Sequence, residues 1–170
     1  MKTSYIFIFL LFTFFTVHSQ TQFGLTAGYI NSNSKLDIAG DKFSGTDSGF
    51  YAGVVLDNKV TEMFSIVAEL SYMNIDNINF LQLPIFAKVY IADSSFNVQG
   101  GLQVTYTLEE VLDDFTKFNF GLGGGFGYDI TEHFFVETRY IFQLNNYFKG
   151  SNDIIKSKIN IFSIGAGYKF

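Results

Sequence analysis

After residue 20 the sequence alternates apolar residues with polar or small ones at period two, and no stretch shows sustained apolar positions at helical spacing. The pattern predicts strands over roughly 22–30, 49–57, 64–74, 80–91, 96–108, 118–129, 134–145 and 158–170. One parity, with Phe23, Leu25, Val54, Leu70, Leu83, Val136 and Ile164 among its members, contains no charged residue in any of the eight segments. The other carries Thr26, Asp57, Glu69, Gln82, Lys88, Gln99, Gln103, Glu137, Arg139, Gln143 and Lys169, with glycine at many remaining positions. Strands with two unlike faces, repeated without an intervening helix, form an antiparallel sheet. Eight of them suffice to close it, so the expectation is all-β: an eight-stranded antiparallel up-and-down β-barrel.

Alternation does not say which face meets solvent. A soluble lipocalin-like barrel turns its apolar parity inward, and its water-facing parity is then rich in Lys and Glu. Here charged residues are only 16% of the chain, and the polar parity is mostly Gly, Gln, Ser and Thr. Aromatics reach 19% and gather at strand ends on the apolar parity. Phe23, Phe64, Phe134, Tyr168 and Phe170 lie toward one end, and Tyr29, Phe50, Tyr72, Tyr106 and Phe118 toward the other. Two aromatic girdles around an apolar band are the mark of a transmembrane barrel. A narrow barrel also crowds its inward side chains, which accounts for glycine on that parity. Links after even strands are short (58–62, 93–95, 130–133), whereas those after odd strands are longer on average (31–48, 109–117, 146–157, with 75–79 the exception). Short turns alternating with longer outer loops complete the transmembrane pattern.

The first residues read as an export signal: Lys2, an apolar run from Tyr5 to Val17, then Val17-His18-Ser19 before Gln20. The run is shorter than the ~20 residues a spanning helix requires. The absence of cysteine removes a lipoprotein anchor, disulfides and thiolate metal sites. The expected organisation is a signal peptide over 1–19, cleaved near Ser19/Gln20, and one barrel domain over 20–170 in the bacterial outer membrane. A net charge of −5 argues against a nucleic-acid partner.

The strand motifs resemble the outer-membrane beta-barrel domain family that includes PorT-like proteins. The carriers are Gly53-Val54, Ala68-Glu69-Leu70-Ser71-Tyr72, Leu83-Pro84-Ile85-Phe86-Ala87-Lys88-Val89-Tyr90, and Gly100-Gly101. They continue with the run Gly121 to Tyr128, Glu137-Thr138-Arg139-Tyr140 with Asn145, and Gly167-Tyr168-Lys169-Phe170. The resemblance implies an eight-stranded outer-membrane barrel and no single activity, since a shared fold does not fix function.

Glu69, Lys88, Glu137 and Arg139 fall on the inward parity, where an unpaired charge costs several kcal/mol. They are expected to form one salt-bridged cluster that fills the lumen. Tyr168 and Phe170 end the last strand on its apolar face and resemble the terminal signal read by barrel-assembly machinery. Pro84, inside a strand and unable to donate to a ladder, is expected to mark a bulge. His133 sits in a turn beside Glu132 with no motif around it. The run Glu109 to Asp114, like Asp37, Asp41 and Asp47, reads as solvated charge without calcium-loop spacing. Phe115, Phe118, Tyr147 and Phe148 read equally as interfacial anchors or as a binding rim.

No catalytic set, cofactor or metal is expected. The anticipated partners are outer-membrane lipid and lipopolysaccharide, the assembly machinery during biogenesis, and an unidentified envelope or extracellular protein. The expected role is structural, adhesive or within an envelope complex. A narrow solute or ion pore, a lipid-modifying barrel enzyme and a soluble lipocalin-like binding protein are the alternatives.

Overall fold

A computed structural model describes residues 20–38, 40–92, 94–149 and 155–170, so the expected signal over 1–19 and its cleavage site lie outside the described residues. The described chain holds eight strands: β1 Gln20–Ile38, β2 Asp41–Thr61, β3 Phe64–Ile75, β4 Ile78–Tyr90, β5 Phe96–Thr107, β6 Phe118–Asp129, β7 Phe134–Gln143 and β8 Ile155–Lys169. Each pairs antiparallel with its sequence neighbour, and β8 returns to β1 to close the barrel. At the seam Gly24 lies opposite Lys169, and the Phe170 N–H donates to the Phe23 carbonyl at 2.7 Å. Closure satisfies the backbone groups of every strand, which is what lets a sheet stand in lipid.

The apolar parity faces outward on all eight strands. Phe23 is 64% exposed and Leu102 60%, with Leu83, Val136 and Ile164 on the same surface, while Glu69 is 1% and Arg139 6% exposed. A soluble barrel would show the reverse. The outer surface is thus a continuous apolar band edged by aromatics that touch across strands. Phe134 meets Tyr168 with ring centroids 4.8 Å apart at the end bearing Gln20 and Phe170 (the base), and Tyr106 meets Phe118 at 4.8 Å toward the other end (the crown).

The parity rule left one thing out. The inward face is not only polar: Ile30, Tyr51, Met73, Ile75, Phe80, Phe86, Ile141 and Ile161 form a buried apolar cluster, and Val55, Val67 and Phe135 a second. Inward glycines make room for these side chains. A Cβ on Gly165 would sit 2.1 Å from the Tyr51 hydroxyl, and one on Gly167 2.2 Å from the Phe135 ring. Glycine on one strand is therefore the socket for an aromatic on the adjacent strand, as for Phe135, or on the strand beyond it, as for Tyr51.

Two local expectations are corrected. Residues 31–48 do not form a loop: β1 and β2 stay paired from Asn31↔Ser48 out to Ile38↔Asp41, and Gly40 turns the chain at φ 101°. With β8, which pairs with β1 out to Ile155, they build a three-stranded tongue that rises beyond the last β2–β3 and β7–β8 pairs at the crown. The alternation there is of Asn, Ser, Lys and Asp against scattered apolar residues, so it lacked the lipid-facing signature by which the other strands were recognised. Pro84 does not mark a bulge. The β3–β4 ladder runs from Ala68↔Ile85 to Ser71↔Gln82 without a change of register, and only the rungs at Glu69 and Leu70 are missing. Proline removes a donor but its extended backbone keeps the strand in step. The register shift among the described strands falls instead between Lys59 and Thr61, beside the β2–β3 turn. The exceptionally short β3–β4 link is a two-residue turn with both central residues left-handed, Asp76 at φ 47° and Asn77 at φ 64°. This hairpin turn is one that Asx residues favour.

Candidate functional site

The lumen is packed in tiers. At the base, an open vestibule of about 730 Å³ is bordered by Lys59, Glu62, Tyr90, Asp129 and Lys169. Above it lies a first ionic network. Lys88 Nζ contacts Asp57 Oδ2 at 3.1 Å, and Lys169 Nζ bridges Asp57 Oδ2 at 3.4 Å and Asp129 Oδ2 at 3.5 Å. The Tyr90 hydroxyl donates to Asp129 Oδ2 at 2.7 Å. Phe135 caps this tier with Val55 and Val67, its ring centroid 5.6 Å from Lys88 Nζ and 5.7 Å from Lys169 Nζ. Both ammonium groups thus lie against a π face as well as a carboxylate.

A second network occupies the middle of the barrel. Arg139 donates from Nη1 to Glu69 Oε2 at 2.8 Å, from Nη2 to Glu137 at 2.8 Å, and from Nε to Gln99 Oε1 at 3.1 Å. Gln99 Nε2 in turn donates to Glu137 at 3.2 Å, and the Ser71 hydroxyl donates to Glu69. The guanidinium also lies 5.0 Å from the centroid of the Phe86 ring. A planar cation with five donors in a fixed fork suits this arrangement of two carboxylates and an amide. Toward the crown the larger apolar cluster follows, together with Gln82, Gln103, Thr105 and the Gln143–Asn119 hydrogen bond at 2.8 Å. A cavity of about 30 Å³ remains at this level, room for a water or two.

The four charges expected to meet do not all do so. Glu69, Glu137 and Arg139 come together, but Lys88 belongs to the first network, across the Phe135 tier. Its companions there, Asp57, Asp129 and Lys169, share the inward parity of their strands. The reason is geometric. Lys88, Gln99, Gly125 and Arg139 form one continuous row of paired residues from β4 to β7. Strands tilted by 35–45° make such a row climb the barrel by about 9 Å over three strand spacings. Neighbours along a row are therefore not level in the lumen.

Other singled-out residues also have defined places. His133 Nδ1 lies 2.9 Å from the Lys169 carbonyl oxygen, and its ring stacks on Tyr168 with centroids 5.5 Å apart. Tyr168 and Phe170 lie outward beside the seam, their rings 5.4 Å apart. In the acidic run, the Glu109 carboxylate accepts from the Asn79 N–H at 2.9 Å and from Asn79 Nδ2 at 2.6 Å, tying the β5–β6 loop to β4. Phe115 packs against both Tyr147 and Phe148 and so joins two crown loops, while Phe118 alone of that set stands in the girdle. Among the described residues no group of three or more His, Cys, Asp or Glu is placed to hold a metal ion.

Comparison with known proteins agrees with this architecture. Residues 74–149, from the end of β3 through the loop after β7, match the family described as outer membrane protein beta-barrel domain. No curated protein sequence matches the chain. Among solved structures, the Yersinia pestis outer membrane protein Ail in a phospholipid bilayer nanodisc is similar with a TM-score of 0.52 at 14% identity, covering 89% of this chain and 100% of that one. Ail in complex with the heparin analogue sucrose octasulfate gives 0.51 at 14%, covering 88% and 99%. The N-terminal β-barrel domain of Pseudomonas aeruginosa OprF gives 0.50 at 14%, covering 89% and 100%. At such identities the likeness is one of fold. With the lipid-facing band and the family match together, the chain is an eight-stranded β-barrel protein of the bacterial outer membrane, similar over residues 74–149 to that family's domain.

Proposed function

We propose that this protein acts by contact and not by conduction: a plugged barrel that anchors the crown tongue outside the cell in a structural, adhesive or complex-forming role. The observation that carries the reading is the filled lumen. Two ionic networks and two apolar clusters stand in series between the base vestibule and the crown, with Phe135 and Arg139 across the path. An eight-stranded barrel is just wide enough for side chains to fill. A pore would have to displace a buried guanidinium from two carboxylates, which is costly in a medium that solvates ions poorly.

A non-enzymatic role is supported by the engagement of His133, whose Nδ1 is committed to a backbone carbonyl at the base rim. Tyr168 and Phe170 serve as the segment read by the assembly machinery. The support is their outward placement at the closing seam, where the last strand must be recognised before it pairs with β1.

Planar-bilayer recording of the refolded full chain tests the main proposal. The expected result is no unitary conductance under conditions in which the barrel shows heat-modifiable gel migration. Reproducible channel openings in the native protein would overturn it in favour of the narrow pore.

A further inference from the structure

On the outer face of the tongue, above the apolar band, the fold sets two lysines directly against each other, with no carboxylate on their rung. Successive outward residues of β8 run Ile164, Phe162, Asn160, Lys158, and those of β1 run Tyr29, Asn31, Asn33, Lys35. The register puts Lys35 directly opposite Lys158 on one side and Ser44 on the other. One step higher, Asp37 stands between Lys42 and Lys156. Like charges placed directly across a strand pair destabilise the sheet. Among the described residues no ion pair is formed by Lys35, Lys42 or Lys158; of the carboxylates near them, Asp41 lies exposed at the tip of the tongue and Asp37 accepts from the Gly40 N–H at 3.0 Å. In a chain with a net charge of −5, this is a concentration of positive charge on one patch of wall.

The height of the patch says what it faces. Lys158 is four residues beyond Phe162, the last outward aromatic of β8, which is about 13 Å along the strand and about 10 Å along the membrane normal after tilt. A lysine stem reaches back from there to the headgroup level while its apolar carbons lie along the wall. Below the lysines, Phe142 and Leu144 form the lipid-level wall of a groove of about 720 Å³ that continues up to Lys35, Lys42 and Lys158. Apolar below and net cationic above, with three lysines against the single carboxylate of Asp37 in the lining, is the complement of an acylated sugar that carries phosphate.

We infer that this groove binds the phosphorylated glycolipid of the outer leaflet, with Lys35, Lys42 and Lys158 engaging sugar phosphates and Phe142 and Leu144 lying beside its acyl chains. The phosphates relieve the Lys35–Lys158 repulsion that the fold leaves unbalanced. The site depends on the barrel's placement in lipid and is independent of whether the lumen conducts, so its failure and that of the plugged reading show in different measurements.

The test uses the full-length protein, purified free of lipopolysaccharide in mild detergent and immobilised in its folded form. Probes are bis-phosphorylated lipid A, enzymatically dephosphorylated lipid A, phosphatidylglycerol, and a soluble sulfated oligosaccharide. The expected result is saturable binding of phosphorylated lipid A that falls about thirtyfold in Lys35→Gln/Lys158→Gln. Lys35→Arg, which keeps the charge, should bind as the native protein does, and Lys59→Gln at the base should leave binding unchanged. Heat-modifiable migration of each variant shows that its barrel is folded, and Lys42→Gln alone provides a milder variant with the same direction of effect. Equal binding of dephosphorylated lipid A, or of phosphatidylglycerol, would overturn the assignment. So would full retention of affinity in the folded double variant. Binding confined to the soluble sulfated sugar would overturn it in favour of an extracellular glycan contact.

Discussion

The two ionic networks of the lumen are built from the same kinds of group and differ in how they are balanced. In the middle, one guanidinium stands between two carboxylates, held on both sides by Gln99, Ser71 and the Phe86 ring. At the base, two ammonium groups and two carboxylates form a chain, and its last member, Asp129, borders the open vestibule. The central network depends on one side chain. The base network is redundant, because Asp57 has two lysines and Lys169 has two aspartates. The contrast teaches that charge inside a narrow barrel is tolerated through either a multidentate hub or a shared chain. Only the first has a single point of failure.

The sharpest way to break that comparison is Arg139→Met. It leaves Glu69 and Glu137 facing each other without a cation, and the expected loss is about 3–5 kcal/mol in reversible urea unfolding from micelles. Arg139→Lys restores charge without the fork and should recover only part of that stability. A Met variant within about 1 kcal/mol of the native protein would remove the hub from the account. Phe135→Ala comes next. Removing the ring leaves a cavity between the networks and takes a π face from two lysines, for an expected loss of about 3 kcal/mol in the same assay.

Lys88→Met should cost less, about 1–2 kcal/mol, because Lys169 stays within 3.4 Å of Asp57. A loss equal to that of Arg139→Met would show that the base network is not redundant. The smallest effect is expected from Asp129→Asn. Its carboxylate is partly accessible from the vestibule, so the change should be under about 1 kcal/mol and shrink further as salt is raised. A large, salt-independent loss would mean that the base tier is as sealed as the middle one.

Much of this was legible in the sequence, and particular residues show where legibility stops. Phe23, Leu83 and Ile164 announce their face by parity alone, because a strand sends alternate side chains to opposite sides whatever it packs against. The aromatic girdles follow from the same rule plus position along the strand. Pro84 shows a limit of local reasoning: its missing donor was visible, but whether the strand would slip or merely lose a rung depends on its neighbours holding register. The tongue shows another. Once β1, β2 and β8 leave the lipid, no solvent difference enforces strict alternation, so Asn31 to Ser48 reads as a loop although its backbone remains paired.

The sequence by itself determined that eight strands would each present an uncharged face to lipid and bring Asp57, Glu69, Lys88, Glu137, Arg139 and Lys169 inside. These are properties of residue order within single strands. The tertiary structure decided which of those charges meet, that Phe135 divides them into two networks, and that Lys35 ends opposite Lys158 above the membrane. Height in a closed barrel is set jointly by tilt and by the register of every pair around the ring, and no single strand carries that information.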